Sequence, residues 1–376
     1  MQYRTLGRYE DKVSILGFGC MRLPIVDNSH DKIDEVEAMK QIRYAIDNGV
    51  NYIDTAFPYH GGTSEAFVGK ALKDGYREKV FIATKSPSWL IESRRDLDKY
   101  LDIQLKNLQT EYIDFYLLHA LNKKYWENYR KNDVFDFIGK ALQSGKIRNI
   151  GFSFHDEYPV FEEIINTYNW DFCQIQLNYF DEEYQAGLKG LHLAAKKGID
   201  VIVMEPLRGG RLAKAPVEIQ ALWDSYPDHH SPAGWALRYL WDKPEVKLIL
   251  SGMNNLGHIK DNINEASIAK EKMLTVDEKD LIENAKKIYK SRIKVDCTNC
   301  KYCMPCPHGV NIPANFAFYN NASIFDDKED FMKQYFNQLK PEELADMCQQ
   351  CGNCEPLCPQ NIEIIKELEN VTMFFK

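Results

Sequence analysis

Eight short apolar runs punctuate the first two thirds of this chain, separated by longer amphipathic stretches, and that alternation leaves few folds open. The runs are Ser14–Phe18, Tyr52–Thr55, Val80–Thr84, Ile113–Leu118, Ile147–Phe152, Cys173–Leu177, Val201–Met204 and Lys247–Leu250. Near-continuous Ile, Val, Phe and Tyr is what strands buried on both faces require. The stretches Ile33–Asn48, Ser93–Leu108, Asn132–Ser144 and Asn254–Ser267 read as crossover helices. Two parallel architectures compete, a closed (β/α)8 barrel and an open doubly wound sheet. The open sheet would carry a glycine fingerprint after its first strand, but Gly17-Phe18-Gly19 is followed by Arg22 where the third glycine belongs. The expected class is therefore α/β, with a TIM barrel of roughly 250 residues.

Past about residue 270 the pattern changes. Asp277–Lys290 reads as a helix leaving the barrel, and Asp326–Leu339 as a polar helical stretch between two groups of cysteines. The boundary is placed at 292/293: a barrel over 1–292 and a small, mainly α-helical unit over 293–376. Of the 10 cysteines only Cys20 and Cys173 lie outside that second unit, in strand-like runs where they read as buried hydrophobes. The rest form Cys297-x-x-Cys300-x-x-Cys303-x-x-Cys306-Pro307 and Cys348-x-x-Cys351-x-x-Cys354-x-x-x-Cys358-Pro359. With no export signal, metal ligation is favoured over disulfides.

Two four-cysteine runs that each end in Cys-Pro resemble a ferredoxin-type domain with two [4Fe-4S] clusters, in which the fourth cysteine of each run serves the other cluster. On that resemblance Cys297, Cys300, Cys303 and Cys358 hold one cluster, and Cys348, Cys351, Cys354 and Cys306 hold the other. The first run has one residue fewer before Cys306 than the bacterial pattern, which leaves the exchange open. Structural zinc is the rival reading of CxxC pairs.

In a parallel barrel, functional groups gather where strands end. Those ends give Asp54, Lys85, His119, Ser153, Gln174 and the loop after Met204, with Tyr59 on the loop past Asp54. Each has an ordinary reading as a cap, a solvated strand end or a rim residue, but polar groups at consecutive strand ends are not what core packing alone would choose. Asn51-Tyr52-Ile53-Asp54-Thr55-Ala56-Phe57-Pro58-Tyr59, Ala83-Thr84-Lys85 and Leu117-Leu118-His119 resemble the motifs of the aldo-keto reductase family, a likeness running from Arg4-Thr5-Leu6-Gly7 to about Asn262.

The resemblance implies Tyr59 as proton donor, Lys85 as the cation beside it, Asp54 as that lysine's partner and His119 as the group that orients a substrate carbonyl. A free phenol has a pKa of about 10. An ammonium about 4 Å away contributes about 4 kcal/mol at an effective dielectric near 20, so the phenol is expected to be acidified toward neutrality.

The same resemblance implies an extended NADP(H), with NAD(H) and a flavin left open. Ser153 and Gln174 would bind the nicotinamide carboxamide beside Met204. The loop Pro206-Leu207-Arg208-Gly209-Gly210-Arg211 would take the pyrophosphate, its glycines admitting close approach and Arg208 and Arg211 supplying charge. Ser251, Gly252, Asn255 and Asn262 would face adenosine. Phe154 stands where an asparagine usually follows the serine, Met204 where relatives often stack an aromatic ring, and Gly252 and His258 where basic side chains often grip a 2′-phosphate.

A formal net charge of -8 disfavours nucleic acid, and no run approaches the ~20 apolar residues of a membrane span. A cytoplasmic oxidoreductase is expected, acting on a small carbonyl or alcohol. Two other readings stay open: clusters that relay electrons between a ferredoxin-like partner and a group bound in the barrel, and a non-catalytic binding subunit. The mouth loops carry Trp89, Trp126 and Trp223, without naming a substrate.

Overall fold

The computed structural model describes all residues, 1–376. It divides into two compact units, one of 1–213 with 233–276 and one of 214–232 with 277–376.

The first unit opens with an antiparallel hairpin, β1 (Tyr3–Leu6) and β2 (Asp11–Ser14), which the sequence reading did not anticipate. Eight parallel strands follow: β3 (Leu16–Gly19), β4 (Tyr52–Asp54), β5 (Phe81–Ser86), β6 (Ile113–Leu121), β7 (Ile147–Phe154), β8 (Phe172–Gln176), β9 (Asp200–Met204) and β10 (Val246–Ser251). They close in the order β10-β3-β4-β5-β6-β7-β8-β9, so the expected barrel is present. Helices including Glu35–Asp47, Arg94–Leu108 and Val134–Gln143 supply crossovers, and Leu256–Ile268 follows the last strand.

The hairpin covers the N-terminal ends of the strands. Leu6 and Val13 pack into the apolar cluster of Tyr52, Phe115, Phe172 and Leu248, while the Gly7 amide donates to Asp200 at the head of β9 (2.8 Å). Gly7 has φ +75°, and a Cβ there would lie 2.4 Å from Asn149 Oδ1, so the turn admits no side chain. With this end plugged by apolar contacts, the opposite end is left for polar groups.

Strand tilt decides which residues meet there. Asp54 pairs with Ala83 on β5, so Lys85 stands two residues farther along. Lys85 pairs with Leu117 on β6, and His119 again stands two farther. Side chains alternate across a strand, so a two-residue climb keeps all three on the same, inward face. Between β6 and β7 the pairing moves from Leu118↔Phe152 to Leu121↔Phe154, so β6 spends an extra residue at His119–Ala120. Ala120 takes φ +50° in this bulge and donates its amide to Ser153 Oγ (2.7 Å). Bulges re-aim side chains beside functional sites.

The second unit is helical: Val217–Asp224, Val276–Ser291, Ile312–Ile324, Lys328–Gln338 and Ile364–Phe375. Tyr335 organises it, stacking on Phe375 (4.6 Å), donating to Asn315 Oδ1 (2.5 Å) and accepting from the Ala345 amide (2.9 Å). Almost all of helix Val276–Ser291 falls with this unit, where Tyr289 packs on Phe325 at 5.7 Å. Along the chain this unit takes in 214–232 and resumes at Asp277.

Candidate active site

At the C-terminal ends of the strands a cleft of about 230 Å³ is lined by Asp54, Tyr59, Lys85, His119, Ser153, Gln174, Met204 and Gly252, joined by Gly19, Met21, Arg22, His155, Glu205 and Leu250. Lys85 forms its base. The ammonium lies 2.7 Å from Asp54 Oδ1, 2.8 Å from the Thr55 carbonyl and 3.4 Å from the Tyr59 hydroxyl. Three donors therefore meet three acceptors, with no donor left over. Behind it the Gln104 amide donates to the Lys85 carbonyl (3.0 Å) and to Glu65 (2.6 Å), and Thr84 also donates to Glu65 (2.7 Å). This buried network fixes the backbone that carries the lysine.

The electrostatics differ from expectation in one respect. Burial pushes the Tyr59 phenol above its ordinary value, and the neighbouring Lys85 charge, which pulls it down, does not prevail. Desolvation, which penalises phenolate in a closed pocket, outweighs the ammonium. Burial works against the Lys85 charge, but Asp54 and Tyr59 overcome it and raise its pKa. Burial likewise raises the Asp54 carboxyl, opposed by Lys85. Burial, with Lys85 and His155 assisting, holds His119 far below the usual histidine range, so its ring is neutral.

His119 lies edge-on to Tyr59 (6.2 Å between centroids) and against Trp89 (5.3 Å). Its carbonyl accepts from the Ser88 hydroxyl. Ser88 Oγ also lies 3.0 Å from the Tyr129 hydroxyl, which donates to Ser86 Oγ (2.9 Å). Ser86, Ser88 and Tyr129 thus pin the bulge, a role the sequence reading missed because Tyr129 sits in a polar helix, Lys123–Lys131. Of the aromatics placed at the mouth, Trp89 is partly exposed, whereas Trp126 and Trp223 are buried.

The residues expected to hold a cofactor separate into two groups. Ser153, Gln174, Met204 and Gly252 line the cleft; Pro206, Leu207, Gly209, Gly210, Ser251, Asn255 and Asn262 do not. Asn262 donates to Ser251 Oγ (3.1 Å), and Asn255 caps helix Leu256–Ile268 by accepting from the His258 amide (2.9 Å). Arg208, expected to offer charge, is held 3.1 Å from Asp181 with its guanidinium over Phe180 (4.6 Å). Phe154 is buried against Phe161 (5.2 Å). Arg22 and Glu205 were not expected, because only closure of the barrel brings the end of β3 beside β10 and its neighbour β9; His155, just past β7, was not expected either. Cys20 and Cys173 are fully buried, and burial drives both thiols up.

In the second unit, one cavity is lined by Cys297, Cys300, Cys303 and Cys358. Another is lined by Cys306, Cys348, Cys351 and Cys354, with Cys303 at its edge. Each cavity gathers three cysteines of one run and the last of the other.

A closed barrel with a buried lysine–aspartate pair against a phenol at its strand ends defines a (β/α)8-barrel oxidoreductase. The family model described as "Aldo/keto reductase family" matches residues 15–281, and the chain belongs to that family. A second model, "4Fe-4S dicluster domain", matches residues 296–363, the stretch that carries both cysteine runs. "Probable aldo-keto reductase 1" of Glycine max is 35% identical over 156 residues, 39% of this chain and 43% of that protein. "L-galactose dehydrogenase" of Arabidopsis thaliana is 27% identical over 305 residues, 75% of this chain and 93% of that one. The chain thus spans less than half of the first relative and nearly all of the second. Among solved structures, "aldo-keto reductase AKR11C1 from Bacillus halodurans (holo form)" aligns with a TM-score of 0.62 at 28% identity, covering 76% of this chain and 96% of that one. No helix is long and apolar enough to cross a membrane.

Proposed function

We propose that this chain is an NAD(P)-dependent oxidoreductase that reduces a small aldehyde or ketone, or oxidises the matching alcohol, with Tyr59 as proton donor. The reading places the reductase chemistry in 1–292 and the clusters in 293–376. The observation that carries it is the contact between Lys85 and Tyr59 at the base of the cleft (3.4 Å). An ammonium only donates, so the phenol oxygen accepts, and its own hydrogen is free to point at a ligand.

The cleft suits a nicotinamide. Gln174 Oε1 is buried without a hydrogen-bond partner, and Ser153 Oγ, which accepts from Ala120, keeps its own hydrogen to donate. An acceptor and a donor side by side match a primary amide, and unmet buried polar atoms are costly enough to mark a ligand position. The bound cofactor supplies a hydride.

The protein's own groups do the rest. Neutral His119 directs the carbonyl oxygen toward Tyr59, and Tyr59 protonates that oxygen as it gains charge. Lys85 steadies the phenolate left behind, a charge-assisted contact stronger than a neutral one. Asp54 keeps the lysine protonated in a pocket that would otherwise favour the amine. NADP(H) is favoured over NAD(H) on family grounds.

The test mixes anaerobically purified protein with NADPH or NADH and a panel of small aldehydes. Turnover is expected, with Tyr59→Phe losing it while cofactor affinity stays nearly unchanged. Absence of turnover with either nucleotide across the panel would refute the reading.

The dicluster match and two cysteine cavities meeting at Cys303 favour a second reading. In it Cys297, Cys300, Cys303 and Cys358 hold one [4Fe-4S] cluster, Cys306, Cys348, Cys351 and Cys354 hold the other, and the pair relays electrons from a ferredoxin-like protein. Clusters pass single electrons, so this route requires a group such as a flavin that handles both one and two. Flavin absorption in the purified protein, with activity that depends on reduced ferredoxin, supports the relay. Turnover with NADPH at an unchanged rate after cluster removal excludes an obligatory one.

A further inference from the structure

We propose that Arg22 is the cation that takes the pyrophosphate of the dinucleotide, and that Glu205 holds it until the dinucleotide arrives. The inference rests on the nicotinamide reading above.

Arg22 ends the short turn Cys20–Arg22 after β3 and lines the same cleft as Gln174 and Met204. Its guanidinium lies beside the loop after β9: a Cβ added to Gly209 would stand 3.3 Å from Arg22 Nη2. Its stem lies beside the end of β10, 3.6–3.8 Å from where Gly252 would carry a Cβ. Gly209 also has φ +68° and Gly210 φ +92°, conformations that exclude most side chains. The wall between β9 and β10 is thereby kept bare around one guanidinium.

Barrel order says which part of the ligand arrives there. Strands run β7, β8, β9, β10 and β3 around the rim. A dinucleotide with its nicotinamide at Ser153 and Gln174, on β7 and β8, and extending past β9 toward β10 brings its middle beside Gly209 and Gly252. Its middle is the pyrophosphate. The planar fork of arginine matches phosphate oxygens in pairs.

Arg22 is also freer to move than Arg208. Arg208 is tied to Asp181 at 3.1 Å and lies over Phe180. Arg22 reaches its own carboxylate, Glu205, only at 3.9 Å, with side-chain exposures of 43% and 33%. So long and wet an ion pair is weak, and it places a carboxylate where the phosphates would pass. Binding then exchanges the Glu205 contact for a phosphate contact, and Glu205 is the group that opposes the exchange.

The test is equilibrium binding without substrate, by nucleotide fluorescence or calorimetry, of NADPH and NADH to wild type, Arg22→Gln, Arg22→Lys and Glu205→Gln. Both nucleotides carry the pyrophosphate and only one the 2′-phosphate. Arg22→Gln is expected to weaken both by a similar factor, roughly tenfold or more for loss of a charged hydrogen-bond pair. Arg22→Lys should recover part of the loss, and Glu205→Gln should tighten both severalfold. Unchanged affinities in Arg22→Gln, or a loss confined to NADPH, would overturn the assignment. Weaker binding in Glu205→Gln would overturn the holding role of Glu205. Wild type that binds neither nucleotide strikes the nicotinamide reading itself, and this inference falls with it.

Discussion

Lys85 Nζ stands 2.7 Å from Asp54 Oδ1, and both side chains are buried. The pair sits where β4 and β5 end, and the lysine reaches Tyr59 from there. A buried pair of this kind does two jobs at once. It sets the protonation state of the cleft, and it makes the barrel's C-terminal end intolerant of losing either partner alone.

Lys85→Met would strand the Asp54 carboxylate, whose Oδ2 already lacks a partner. Breaking a buried ion pair on one side costs about 3–5 kcal/mol. Adding Asp54→Leu should recover much of that cost, because no uncompensated charge then remains. Denaturant unfolding of the two single variants and the double closes the cycle. Additive losses would mean that the two side chains do not depend on each other.

The raised phenol governs the pH profile. With Tyr59 above its ordinary value and His119 neutral, carbonyl reduction should be flat through neutrality and fall only above the usual tyrosine pKa of about 10. Alcohol oxidation, which needs the phenolate, should still be rising there. A reduction limb centred near neutrality would show that the Lys85 charge outweighs burial. Stability moves separately: His119 takes up its proton more readily when unfolded, so stability is lost as pH falls below the free histidine value of about 6.5. Burial lowers His155 and His60 as well. His119→Asn should therefore narrow, not abolish, the drop in Tm between pH 7.5 and 5.

Ser88, Tyr129 and the bulge yield a prediction about position rather than chemistry. Tyr129→Phe removes the hydroxyl that links Ser86 to Ser88, and Ser88 is what holds the His119 carbonyl. Misplacing a reacting group by about 1 Å can cost on the order of 10²-fold in rate. We expect kcat to fall while KM changes little, with Ser88→Thr retaining more activity than Ser88→Ala. An unchanged kcat in both Tyr129→Phe and Ser88→Ala would make the hydroxyl chain mere packing.

The sequence made the barrel legible because its strands are buried on both faces, so Ile113–Leu121 and Ile147–Phe154 stand out as continuous apolar text. Asp54, Lys85 and His119 could be picked from it because each directly follows such a run. The rest depends on three-dimensional closure. Arg22 meets Gly209 and Gly252 only because β3 returns beside β10. The bulge at Ala120 is a mismatch in pairing that one strand alone cannot reveal. Phe154 turns into the core against Phe161, a direction no motif comparison gives. The phenol's pKa was misjudged for a similar reason: the ammonium is visible in the sequence and the depth of the pocket is not.

The cysteine assignment is tested most sharply with paired substitutions. If each cluster takes three ligands from one run and the last from the other, Cys297 and Cys358 serve the same cluster. The two line one cavity together, while Cys306 lines the other with Cys348, Cys351 and Cys354. Cys297→Ala with Cys358→Ala should then empty one site, taking the iron content from about eight to about four atoms per chain for two four-iron clusters. Cys297→Ala with Cys306→Ala should damage both sites and leave little iron. Iron analysis and low-temperature electron paramagnetic resonance of anaerobic protein read the two outcomes. If each run instead keeps its own cluster, the results exchange: the first double variant loses both clusters and the second retains one.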